Sequence, residues 1–71
     1  MRLFYVWDAS EIFANYVHES KSLKLAKESY YYHSRAEKPY AHKTWIEVRE
    51  DGVVADLLRT DEEVEAYNEP S

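Results

Sequence analysis

The strongest constraint on the fold is the dipeptide Asp51-Gly52, which contains the only glycine of the chain and lies between two strand-like runs. Residues 44–50 alternate between apolar and polar side chains, and residues 53–58 are rich in valine and leucine, so both runs favour strands. An Asp-Gly pair between two strands favours a tight turn whose twist matches that of an antiparallel pair. The sequence therefore predicts a β-hairpin over residues 44–58.

The N-terminal part of the chain predicts a second hairpin. Residues 3–7 alternate with a period of two and are aromatic or β-branched, which favours a strand. The polar segment 8–11 can turn the chain, and residues 12–17 then favour a returning strand. A short helix over residues 9–19 is the alternative, because the apolar residues of this segment also fit a helical stripe.

One long helix is predicted over residues 21–36. Ser20 or Ser22 can accept a hydrogen bond from a free backbone N–H at its start. Pro39 ends it, because proline and the residue before it are unfavourable in a helix. The face expected to meet the sheet carries Leu23, Ala26, Tyr30 and Ser34, with Leu25, Ser29 and Tyr32 beside it.

The C-terminal part predicts a short helix, because Thr60 and Glu63 have the spacing of a capping box. Val64 and Tyr67 would then contact the rest of the protein. Together these elements predict an α+β fold of order β-β-α-β-β, with one antiparallel sheet and the long helix across one face. Residues 1–67 are expected to form a single small domain and residues 68–71 a frayed tail.

Several chemistries are disfavoured by the composition. A single glycine excludes phosphate-binding loops, and the chain has no cysteine for a thiolate metal site. His18, His33 and His42 stand alone rather than as the paired ligands of a metal-binding helix. We therefore expect neither enzymatic activity nor a metal or cofactor. No stretch approaches the roughly 20 apolar residues of a membrane span, and a cytoplasmic location is expected.

The three consecutive tyrosines at positions 30–32 predict a binding surface. On a helix their side chains point in directions about 100° apart, so the sheet cannot cover all of them. We expect Tyr31 to be the exposed ring, with Tyr40 and His42 extending the same surface. Tyrosine is enriched at binding hot spots. Alternatively, two rings pack in the core and the third lies flat on the surface.

Charge is distributed unevenly along the chain. The net charge is −2 over residues 1–20, +4 over residues 21–43 and −7 over residues 44–71. Carboxylates on a rigid surface can imitate nucleic-acid phosphates and occupy the basic groove of a nucleic-acid-binding protein. Solubility and stabilisation of the short helix are the alternative role of these acids. The candidate acidic residues are Glu47, Glu50, Asp51, Asp56, Asp61, Glu62, Glu63 and Glu65.

Two stretches, FANYVHESKSLKLAKESYYY and WIEVREDGVV, give the chain its format: a strand entering a serine-capped amphipathic helix, and then a hairpin. In this format the chain resembles the small orphan proteins that phages and mobile elements encode early in infection. Among such proteins, inhibitors of host defence, including anti-CRISPR proteins, act by binding a nuclease or a surveillance complex. The resemblance implies that kind of activity and assigns no particular residue.

Three hypotheses about function follow. The first is a non-catalytic protein that binds and inhibits or modulates a nucleic-acid-handling protein, such as a nuclease complex, through the acidic residues, Tyr31 and Tyr40. The second is a single-stranded nucleic-acid-binding module that uses the basic middle segment and the same tyrosines. The third is a structural homo-oligomer, for example a homodimer, that pairs through edge strands carrying Trp7 or Trp45. The basic residues on which the nucleic-acid-binding hypothesis depends are Lys21, Lys24, Lys27, Arg35, Lys38 and Lys43.

Overall fold

The computed structural model describes residues 1–69 and confirms the α+β fold. Its four strands form one antiparallel sheet in the order β2-β1-β3-β4. A helix connects β2 to β3, and a short helix follows β4. The elements are β1 (Arg2–Ala9), β2 (Ala14–Ser20), α1 (Leu23–Ser34), β3 (Lys43–Glu50), β4 (Val53–Leu58) and α2 (Asp61–Ala66). No helix in this part of the chain is long and apolar enough to cross a bilayer.

The core lies between one face of the sheet and the two helices. Every second residue of the central strands β1 and β3 points into it, which is the alternation that the sequence predicts. Both helices pack on this inner face, and the opposite, outer face carries no helix among the described residues. The buried apolar residues are Phe4, Val6, Ala26, Tyr30, Ile46, Val48, Leu58 and Val64.

Helix α1 begins at the N-cap Ser22, whose Oγ accepts a hydrogen bond from the backbone N–H of Leu25 at 3.1 Å. It runs over residues 23–34, slightly shorter than predicted. Ala26 and Tyr30 are buried as expected. Leu25 and Tyr32, which were expected beside the buried face, are 48% and 75% exposed.

The second strand forms over Ala14–Ser20, so the helical alternative is wrong and the strand begins two residues later than predicted. Residues 10–13 form the β1–β2 loop, in which Ser10 N–H donates to the Phe13 carbonyl at 2.9 Å. The Ser10 hydroxyl also accepts from Ile12 N–H at 3.3 Å. These hydrogen bonds close the loop and leave Ile12 and Phe13 outside the sheet.

The outermost strands of the sheet are β2 and β4, and each contains a bulge. Val17 has no partner on β1, and Ala55 has none on β3. A bulge interrupts the regular row of backbone groups that another chain needs for pairing. Trp7 and Trp45 lie on the central strands, so their expected position on an edge is wrong. Oligomerisation through regular edge pairing is therefore disfavoured.

Helix α2 completes the cover of the inner face. The Thr60 hydroxyl accepts from Glu63 N–H at 3.1 Å, as the capping-box pattern predicts. Val64 is fully buried, and the Tyr67 ring meets the Phe4 ring edge-on at 6.3 Å. Of the predicted tail, residues 70 and 71 lie outside the described residues.

The predicted tight turn is present at Asp51-Gly52, where both residues adopt positive φ, 51° and 83°. Positive φ at both central positions is the geometry of a type I′ turn. An added Cβ on Gly52 would meet no atom within 4 Å, so glycine is needed here for its backbone conformation rather than for space.

Gly52→Ala is expected to lower the free energy of unfolding by about 1 kcal/mol, because alanine is strained at positive φ. Gly52→Asn should lower it less, since asparagine tolerates this conformation. Urea unfolding of the two variants measures the difference. Equal stability of Gly52→Ala and the parent protein would contradict the assignment.

Candidate functional site

The eight acidic residues do not form one surface. Glu47 lies on the outer face, where it accepts a hydrogen bond from Arg49 Nε at 2.7 Å. Glu50 and Asp51 lie at the tip of the β3–β4 hairpin. Glu50 pairs with Arg2 at 2.7 Å, and Asp51 pairs with the N-terminal amine. These three carboxylates therefore have intramolecular partners.

The other acidic residues lie on α2 and the neighbouring β4. Asp61 accepts hydrogen bonds from the Tyr30 hydroxyl at 2.8 Å and from Arg35 at 2.9 Å, and both lower the pKa of its carboxyl. Glu63 contacts its own cap, Thr60. The exposed acidic residues on this side of the protein are Asp56, Glu62, Glu63 and Glu65.

The expectation that Tyr31 is the exposed ring among residues 30–32 is wrong. Tyr31 is partly buried against the core, and the Arg35 guanidinium lies 4.7 Å from its ring centre. Desolvation raises the pKa of Tyr31, and the neighbouring Glu65 and Asp61 raise it further. Tyr32 is the exposed ring of the three. Tyr31 therefore lies near Asp61 and Glu65 of α2 as well as against the core.

A cluster of exposed apolar residues lies at the end of the sheet where two loops meet. These are the β1–β2 loop, residues 10–13, and the α1–β3 loop, residues 35–42. On these loops Ile12 is 86% exposed, Phe13 51% and Tyr40 46%, and Val17 on the adjoining strand β2 is 40% exposed. We call these four residues the loop corner.

Two open cavities connect the members of the loop corner. One, of about 390 Å³, is lined by Ile12, Phe13 and Tyr40. The other, of about 190 Å³, lies between Phe13, Val17 and Tyr40 and reaches Asp8. The four side chains therefore form one continuous patch, which the sequence does not reveal because Tyr40 is distant from the others along the chain.

A buried polar cluster at Asp8 anchors the loop corner. The Asp8 carboxylate accepts hydrogen bonds from His42 Nδ1 at 2.8 Å, from Thr44 Oγ1 at 3.3 Å and from the Lys38 ammonium. Burial alone raises the pKa of Asp8, but the hydrogen bonds from Lys38 and His42 outweigh it and the pKa lies below its ordinary value. His42 Nε2 lies 3.0 Å from the carbonyl oxygen of Ala36. The cluster thus ties the α1–β3 loop to β1.

An aromatic cluster lies on the outer face next to the loop corner. The rings of Trp7 and Trp45 stack at 6.1 Å, and Tyr16 meets Trp7 edge-on at 5.4 Å. Arg49 lies over Tyr5 at 4.3 Å from the ring centre. We call these four rings the aromatic face. The solvated face of an antiparallel sheet usually carries polar side chains, so four aromatic rings are unusual on a face without a partner.

A groove of about 710 Å³ runs along the outer face beside Trp45. Lys43 and Arg59 flank it, and neither forms a salt bridge within the described part of the chain. Leu57 and Glu47 complete its wall. The groove therefore combines an aromatic ring with two cations.

The described residues contain no group of three or more histidine, aspartate or glutamate side chains that could hold a metal ion. The absence of enzymatic activity stays a prediction. Comparison with protein-family models, curated proteins and solved structures finds no significant match to this chain.

Asp8→Asn is expected to lower the free energy of unfolding by about 2 kcal/mol at neutral pH, because the charge that Lys38 and His42 bind is lost. The pKa of Asp8 is lowered in the folded state, so its charge stabilises the protein fully above the ordinary value of 3.8. This contribution is lost as the pH falls towards the folded-state pKa. The difference between parent and variant should therefore shrink below about pH 4.

Urea unfolding at neutral and acidic pH measures this difference. Asp56→Asn, at an exposed position, is the matched control and should have little effect at either pH. A difference that does not change with pH would show that the charge of Asp8 is not the stabilising feature.

Proposed function

We propose that the protein is a non-catalytic binding protein that contacts a protein partner through the loop corner. The observation that carries the proposal is the concentration of exposed apolar surface there, with Ile12 86% and Phe13 51% exposed. Single apolar residues are common on protein surfaces, but a continuous patch is typical of an interaction site.

The aromatic face extends the proposed interface. A cavity of about 370 Å³, lined by Ala9, Glu11, Lys43 and Trp45 among others, joins it to the end of the sheet that carries the loop corner. A standard interface buries about 800 Å² per partner, and the accessible surface of this protein is 4890 Å². An interface of that size would cover about one sixth of the surface. Tryptophan, tyrosine and arginine are also the residues enriched at binding hot spots.

The acidic residues give weaker support to the more specific hypothesis that the partner is a nucleic-acid-handling protein. The hairpin tip at Glu50 and Asp51 lies at the opposite end of β1 and β3 from the loop corner, about 25 Å away for strands of eight residues. One partner contacting both would have to span the whole sheet. A nucleic-acid-handling target, inhibition of that target and a cytoplasmic location stay predictions from the sequence and its resemblance to phage-encoded inhibitors.

A second candidate function is binding of single-stranded nucleic acid on the outer face. The groove supports it, because Trp45 offers a ring for stacking while Lys43 and Arg59 offer charges for phosphates. Four-stranded sheets with aromatic residues on an open face bind RNA in this way. Tyr31 is not part of this surface. The net charge of −5 opposes the approach of nucleic acid, so we rank this function second.

Protein binding is tested by placing a photo-crosslinking amino acid at position 12 or at position 53 in cells. Val53 is 69% exposed on β4 and lies at the other end of the sheet. Position 12 is expected to give a specific protein adduct and position 53 to give none. With the captured protein purified, Phe13→Glu should weaken its binding at least about tenfold, while Val53→Glu should not. Adducts from position 53 alone would refute the proposed site.

Nucleic-acid binding is tested by fluorescence anisotropy with an oligonucleotide of about 12 nucleotides at low and high salt. The second function predicts salt-sensitive binding that Lys43→Glu/Arg59→Glu abolishes. Glu62→Lys/Glu63→Lys is a control for charge alone, because it makes the protein more basic away from the groove. No binding by the parent protein at low salt removes this function.

A further inference from the structure

The hydrogen-bonding partners of His42 suit one protonation state of its ring. Its side chain is 12% exposed, and both ring nitrogens face oxygen acceptors. Nδ1 lies 2.8 Å from Asp8 Oδ1, and Nε2 lies 3.0 Å from the carbonyl oxygen of Ala36. A neutral imidazole has one donor and one acceptor, so only the doubly protonated ring donates to both oxygens. Loss of a proton would leave a nitrogen lone pair facing an oxygen.

The other charged groups around the ring come from four parts of the chain. Asp8 on β1 faces the ring directly and is paired with Lys38 of the α1–β3 loop. Lys43 on β3 and Glu11 of the β1–β2 loop line the cavity beside the ring. The lowered pKa of Asp8 keeps its carboxylate charged at neutral pH. The geometry therefore makes the number of protons on the His42 ring, rather than the charge of Asp8, the variable of this cluster.

We propose that protonated His42 acts as a clasp that holds the α1–β3 loop on β1 and makes partner binding at the loop corner dependent on pH. This inference rests on the proposed function. The ring bridges Ala36, near the start of the loop, to Asp8 on β1, and Tyr40 lies in the segment that the bridge closes. With the clasp closed, Tyr40 stays beside Phe13 and the cavity between them is preserved.

Deprotonation opens the clasp. One of the two hydrogen bonds is lost, the loop is held by fewer contacts, and Tyr40 is no longer fixed against Phe13. The stabilisation is present while the ring carries both protons and is lost when a rise in pH removes one of them. Binding at the loop corner is thus stronger when the ring is doubly protonated than when it is neutral.

The clasp is tested on the isolated protein by NMR between about pH 5 and pH 8. We expect both ring nitrogens of His42 to carry protons at the acidic end. Loss of a proton should accompany at least about tenfold faster amide exchange in residues 35–42. His33 on α1 is the internal control, since a change of charge on its ring should leave these amides unchanged. The clasp is refuted if the ring keeps one protonation state throughout. It is also refuted if amide exchange in residues 35–42 does not change when the ring loses a proton.

Two variants separate the two hydrogen bonds. His42→Asn keeps a donor near the Nδ1 position, and His42→Gln keeps one near the Nε2 position. Both should weaken binding of the photo-captured partner about tenfold on the acidic side and abolish its dependence on pH, while His33→Gln should do neither. Retained pH dependence in both variants would refute the coupling. Failure of cross-linking at position 12 with a positive NMR result would refute the proposed function alone.

Discussion

The pairing of β1 with β3 is the constraint on which the rest of the structure depends. Over eight residues it sets Phe4 and Val6 opposite Val48 and Ile46 on the inner face, and Trp7 opposite Trp45 on the outer face. A shift of one residue would exchange the two faces, exposing the core residues and burying the charged ones. This register therefore determines both the core that the helices cover and the aromatic surface that they leave open.

The fold was predictable where local chemistry determines the backbone. An Asp-Gly pair between two strands favours the type I′ turn that Asp51-Gly52 adopts. Ser22 and Thr60 each accept a hydrogen bond from a backbone N–H three residues further along, at the start of the helix that they cap. The start of β2 was not predictable, because Ile12 and Phe13 are as suitable for a strand as the residues that follow them. Their place in a loop depends on the hydrogen bonds that Ser10 makes across it.

The candidate site was predictable only in part, because its residues meet through tertiary contacts. Tyr40 was identified from the sequence, but the loop corner joins it to Phe13, which lies on a different loop. The sequence also does not show that Tyr31 lies near Asp61 and Glu65 of α2, some 30 residues further along the chain. Charge counting also overstated the acidic surface, since it cannot show that Glu50 is paired with Arg2, 48 positions away.

The bulges at Val17 and Ala55 have a consequence for how concentrated the protein can become. A small domain with an uncovered aromatic face and protruding apolar loops risks polymerising into fibrils, in which sheets grow by adding strand after strand. Irregular margins on both sides of the sheet block that growth while the apolar surface stays accessible. Attraction between molecules is thereby directed to side chains, which discriminate between partners, rather than to the backbone, which does not.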